Sequence, residues 1–203
     1  MNPRPDPPIT LWLLDSSTFI HACIIDRLSL LASLRTPLDC PEYVLRWELG
    51  QNGHVETRRL AEEALRQGKV RMRRLSLDDL DRIASINAPR RIGLGELACA
   101  IVAEREEAGV LCDDRNARRW LARRVITVAW ETIDDVLLVA AEGGYIGELD
   151  LQGYQTTLER NGYHCACDLQ MEFLSRRFNR GQRAPVGTCT AQTGQPDAPQ
   201  HTP

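Results

Sequence analysis

No stretch of this chain approaches the run of about 20 apolar residues that a membrane-crossing helix needs. The apolar run opening at Ile9 is cut off by Asp15, and the proline-rich start, Met1 to Pro8, lacks the basic opening and unbroken apolar centre of a secretory signal. There is no surplus of positive charge either. The 25 basic and 28 acidic residues leave a net charge of -3, which excludes a non-specific nucleic-acid coat while permitting local basic patches. Seven cysteines, an odd number at irregular spacing, exclude a disulfide framework and point to a reducing compartment. Gly93 and Gly95 lack the rest of a dinucleotide fingerprint, and no internal repeat is present. What remains is a cytoplasmic protein with no membrane association, whose 203 residues at 43% hydrophobic content suffice for one core.

The apolar segments alternate in type. Ile9 to Leu14 reads as a buried parallel strand ending at Asp15, followed by a helix over about Thr18 to Leu34 with Phe19, Ile20, Cys23, Ile24, Leu28 and Leu31 on one side. Pro41 to Leu49 is expected as a short helix opened by proline and stopped by Gly50, and Val55 to Gln67 as a polar helix. Val70 to Leu75 fits an edge strand, and Ser76 with Asp79 a capping box ahead of Leu77 to Ile86. A helix from Gly93-Leu94-Gly95 toward Gly109 leads into a strand, Val110 to Cys112. A basic helix, Arg115 to Arg124, a strand, Val125 to Trp130, and a helix, Ile133 to Ala141, come next. Two amphipathic helices, Leu149 to Arg160 and Leu169 to Arg177, close the periodic part. The expectation is an α/β fold with a mainly parallel sheet and helices on both faces, occupying 9–178 between a flexible start (1–8) and a disordered tail (179–203).

Acidic residues fall at the junctions of this pattern. Asp15 and Asp113 end strands, where the loops of an open parallel sheet share one crevice, and Glu96 lies in a first helical turn. Converging carboxylates repel one another unless a cation neutralises them, and a hard divalent ion takes one or two carboxylates with water and phosphate. Each acid also has an ordinary reading. Asp15 is a good N-cap, Glu96 complements a helix dipole, Glu48 suits a solvated helix, and Asp113-Asp114 suits a cap for the arginine helix. Arg118, Arg119, Arg123 and Arg124 fit a solvated face as well as a phosphate-steering one. His164-Cys165-Ala166-Cys167 has too few ligands at too close a spacing for structural zinc. Trp12 and Trp47, with apolar flanks, are expected in the core.

The segments Leu13-Leu14-Asp15-Ser16-Ser17, Val44-Leu45-Arg46-Trp47-Glu48-Leu49, Gly95-Glu96-Leu97-Ala98 and Leu111-Cys112-Asp113-Asp114-Arg115-Asn116-Ala117-Arg118 resemble, in order and spacing, the PIN-domain nucleases. The resemblance runs from about residue 11 to 178. It is greatest to prokaryotic members paired with an antitoxin, and Gly143-Gly144-Tyr145-Ile146 with its following helices is similar to that subgroup's C-terminal extension. Trp130-Glu131-Thr132-Ile133 departs from the Gly-Thr pair of many relatives.

The resemblance implies a three-layer fold and a ribonuclease dependent on Mg²⁺ or Mn²⁺, the toxin of a toxin-antitoxin pair. Asp15, Glu48, Glu96 and Asp113 match the catalytic quartet. Asp15, Glu96, Asp113 and Asp114 are the metal ligands it suggests, with Asp114 as substitute or auxiliary to Asp113. Ser17, Arg115 and Arg118 fall where substrate would be held. RNA is the implied substrate, with an antitoxin protein and a second copy of the chain as implied partners. Two alternatives stay open: a DNA nuclease, and a non-catalytic module that binds RNA or protein.

Overall fold

A computed structural model describes residues 9–124 and 128–183. The expected flexible start and disordered tail, 1–8 and most of 179–203, lie outside the described residues. Five short strands, β1 (Trp12–Leu14), β2 (Leu38–Pro41), β3 (Arg71–Arg73), β4 (Gly109–Leu111) and β5 (Ala129–Glu131), form one all-parallel sheet in the order β3-β2-β1-β4-β5. The helices are α1 (Ser16–Ile24), α2 (Leu28–Leu34), a π-helix (Val44–Gln51), α3 (Val55–Arg66), α4 (Leu77–Ser85), α5 (Leu94–Glu106), α6 (Arg115–Leu121), α7 (Ile133–Glu142), α8 (Glu148–Arg160) and α9 (Leu169–Arg183). No helix among them is long and apolar enough to cross a membrane.

Strand parity builds the three layers. Trp12 and Leu14 of β1 and Leu111 of β4 enter one core with Phe19, Leu31, Val44 and Leu137, while Leu13 and Val110, with Cys112 just beyond β4, enter the other with Leu97, Val102 and Leu121. Residues of α1, α2, α3 and α7 thus fill one face, and those of α5 and α6 the other. At the β1/β4 pairing, Trp12 sits opposite Gly109, and a Cβ added to that glycine would lie 2.5 Å from the indole, so only glycine admits the ring.

Three expectations need correction. The helix drawn over Thr18 to Leu34 is two helices, because the chain turns at Asp26, a left-handed residue with φ 53°. Pro41 ends a buried strand instead of opening a helix. Asp39 had obscured that strand, and its buried carboxylate accepts from Arg71 Nε of the neighbouring β3 at 2.6 Å. Trp47 is 46% exposed, since the π-helix buries Val44, Leu45 and Leu49 and turns Trp47 outward. Of the expected strand Val125 to Trp130, 125–127 lie outside the described residues. Both expected C-terminal helices are present, and the Ser76/Asp79 capping box is formed.

Candidate active site

Asp15 follows β1 and caps α1. Its backbone N–H donates to Leu111 O at 3.0 Å, extending the β1/β4 ladder, and its Oδ2 accepts from Ser17 N at 3.1 Å and Ser17 Oγ at 2.6 Å. Capping therefore accounts for only one oxygen. The side chain is 1% exposed, and Oδ1 is buried with no hydrogen-bond partner. A buried carboxylate oxygen without a donor is costly unless something positive occupies its other side. Ser17 does not reach outward. Its hydroxyl donates to Asp15 and accepts from Asp113 N at 3.0 Å, so it positions the acid and ties α1 to the end of β4.

Glu96 and Glu48 come from helices that meet over glycine. A Cβ on Gly95 would lie 2.5 Å from Glu48 Oε1, and one on Gly93 2.5 Å from Glu96 Oε2, so both carboxylates rest on bare backbone at the start of α5. Burial, with Glu48 adding like charge, pushes the Asp15 carboxyl up to about 6 against the opposing Ser17 bonds. Burial first, then Asp15, Glu48 and Asp114, pushes Glu96 up to about 7. Four acids thus feel one another. Tyr43, just before the π-helix, belongs to the same group: burial and then Glu48 and Glu96 raise its phenol. Nothing in the sequence marked it.

Below the acids lie three free thiols. Cys40 lies in β2 beside Asp39, Cys99 sits on α5 and Cys112 follows β4; all are buried, and burial followed by the Asp15 charge raises each well above the usual thiol range. They act as small apolar groups that deepen the desolvation of Asp15.

Asp113 and Asp114 separate. Adjacent residues on extended backbone point to opposite faces. Asp114 falls on the α5 side, where it presses on Glu96, and its Oδ1 caps α6 by accepting from Asn116 N and Ala117 N at 2.7 and 2.8 Å. Asp113 falls on the α1/α7 side. Its Oδ1 accepts from Ile133 N at 2.8 Å and its Oδ2 pairs with His21 Nδ1 at 2.6 Å, with the His21 ring tilted against Tyr163 at a centroid distance of 4.5 Å. Both Asp113 oxygens have protein partners, whereas one oxygen of Asp15 has none. Of the expected ligands, Asp15, Glu48 and Asp114 lie near enough to Glu96 for their charges to act on it, whereas Asp113 joins α1 to the start of α7 on one face of the sheet. Arg115 donates to His164 O at 2.7 Å, and Arg118 lines the adjoining surface.

The residue pattern of the PIN domain matches residues 11–178, most of the chain. The chain belongs to the PIN-domain family. No curated relative matches it. PIN domains are usually nucleases, and generally use divalent metal ions. Among the described residues of this PIN domain, no three Asp, Glu, His or Cys side chains are close enough to enclose an ion by themselves. The donor set still suits a hard cation. Mg²⁺ needs only one or two carboxylates, with water and phosphate completing its shell, and the unpartnered Asp15 oxygen is one such donor.

The glycine contact gives a direct test. Gly95→Ala drives a methyl group into the Glu48 carboxylate, and is expected to weaken Mn²⁺ binding by calorimetry about tenfold, the scale of a disturbed outer-shell partner. Unchanged Mn²⁺ affinity in a folded Gly95→Ala protein would remove Glu48 from the site.

Proposed function

We propose that this PIN domain is a ribonuclease that hydrolyses RNA phosphodiester bonds with Mg²⁺ or Mn²⁺. The observation that carries the reading is the buried, unpartnered Asp15 oxygen close to Glu48 and Glu96, with burial and like charge raising Asp15 to about 6 and Glu96 to about 7. Asp15 would hold the ion directly, with Glu96 and Asp114 reaching it through its water shell and Glu48 beside them over Gly95. A bound ion supplies Lewis acidity at a phosphate oxygen and favours deprotonation of an attacking water. The protein's own contribution is fixed geometry. Ser17 orients Asp15, the glycines let Glu48 and Glu96 approach, and Arg115, next to Asp114, and Arg118, one turn further along α6, are there for the substrate's phosphates.

Protonation and cation binding compete at these acids. The Asp15 carboxyl, raised to about 6, and Glu96, raised to about 7, must lose their protons for an ion to bind. The Mn²⁺ concentration for half-maximal cleavage is therefore expected to rise as pH falls from 8 to 6, by about twentyfold in all and mostly below pH 7, where Glu96 and then Asp15 take up protons. A flat dependence over that range would contradict the assignment of these acids. The decisive assay digests matched single-stranded RNA and DNA with Mn²⁺ and with chelator. Cleavage of RNA alone supports the proposal, equal cleavage of DNA makes the protein a general nuclease, and RNA binding without cleavage makes it a non-catalytic module.

The toxin role, with an antitoxin protein as partner and pairing of two copies, forms the outer part of the proposal and rests on the resemblance of the sequence motifs. Growth arrest on expression, relieved by a co-expressed neighbouring gene product and absent for Asp15→Asn, is its test.

A further inference from the structure

The arginines around α6 differ from most others in the chain. Arg71, Arg82 and Arg105 each pair with a carboxylate, whereas Arg115, Arg118, Arg119, Arg123 and Arg124 make no ion pair with a described residue. Arg115 and Arg118 stand between two cavities of opposite character. The first, about 270 Å³, also carries the carboxylates of Asp134, Asp135 and Glu172, which repel phosphate. The second, about 340 Å³, is lined by Arg115, Arg118, Arg119, Ala122 and Trp130, a set of donors with no acidic side chain. Two donors in its wall, Arg118 Nε and Trp130 Nε1, are buried without an acceptor. Such a set calls for oxyanions, and a basic groove with an aromatic side chain suits a single strand.

We propose that this groove between α6 and β5 is a phosphate subsite carrying the single-stranded RNA backbone away from the acids, with Arg118 and Arg119 as its guanidinium partners. It rests on the nuclease reading for its direction, since α6 is capped by Asp114, the acid that presses on Glu96. The strand leaves toward Trp130 and the β5 edge. It does not pass toward α9, where the carboxylates of the first cavity stand.

Binding is measured apart from cleavage, by fluorescence anisotropy of a labelled ten-nucleotide single-stranded RNA with wild-type protein in chelator, over a series of KCl concentrations. Arg119→Gln is expected to weaken binding about tenfold at low salt and to flatten the plot of log affinity against log salt by about 0.7, one phosphate contact on a single strand. Arg119→Lys should keep that slope, and Arg176→Gln, in the carboxylate-lined cavity, should change neither quantity. Equal weakening by Arg176→Gln, no effect of Arg119→Gln, or no binding by the wild type would each overturn the groove. Weakened binding in a protein that cleaves nothing would leave the groove standing and end the nuclease reading. A DNA strand of the same sequence should bind with the same dependence on Arg119, because the subsite meets phosphate and not sugar.

Discussion

Asp15→Asn is expected to lower divalent-dependent RNA cleavage by more than about a hundredfold, beyond the upper range for disturbing an outer-shell partner of a metal ligand. The fold should survive. Asparagine is as good an N-cap as aspartate, and its carbonyl can accept the Ser17 N–H that Asp15 Oδ2 accepts now. The substitution also has a signature in stability that a merely structural residue would not give. In the folded metal-free protein burial pushes the Asp15 carboxyl up to about 6, against an ordinary value of 3.8. A raised carboxyl favours the folded state while protonated, fully below the unfolded value, and that advantage is lost as pH rises through the folded one. Asparagine has no such loss. The stability of Asp15→Asn relative to wild type should therefore grow between pH 4 and pH 8, by on the order of 3 kcal/mol for a two-unit shift. Denaturant melts with chelator at both pH values measure it. A difference independent of pH would mean that the Asp15 carboxylate is not desolvated, and full activity would end its metal role.

The second large effect divides the neighbouring aspartates. Asp114→Asn should keep the α6 cap, leave the melting temperature within a few degrees of wild type, and lose cleavage and Mn²⁺-induced stabilisation as Asp15→Asn does. Asp113→Ala should unfold early. It strands the buried Ile133 N–H and the His21 ring nitrogen, at about 3 kcal/mol in all, or roughly 10 °C in a domain of this size. A folded, inactive Asp113→Ala beside an active Asp114→Asn would restore Asp113 to the quartet and contradict the division of roles made here.

The alternation of strands and helices was legible because buried parallel strands such as Trp12–Leu14 and Gly109–Leu111 are short apolar runs ended by acids. β2 was hidden because its centre is Asp39, whose charge is answered by Arg71 and Arg73 on a strand more than 30 residues away. Asp15 and Glu96 could be placed from strand ends and helix starts. Asp113 and Asp114 could have been told apart by parity alone: Leu13 and Asp15 share a face, as do Val110, Cys112 and Asp114. Tyr43, His21 and the three thiols join the site or its surroundings through tertiary packing, and no local pattern encodes that.

Glu48 was the acid least accessible to such arguments, and the π-helix gives the reason. Between Val44 and Gln51 the backbone closes wider turns, with Asn52 N bonded to Trp47 O five residues back, so each residue advances by a smaller angle than in an α-helix. The direction of Glu48 depends on the number of residues in that loop of backbone as much as on their identity. Deleting one residue ahead of it would allow ordinary α-helical winding and rotate the carboxylate off Gly95, with every acid of the quartet still present in the sequence. On the proposed reading of Glu48, chain length in this one helix is a functional quantity, inherited by counting and invisible to any comparison of side chains alone.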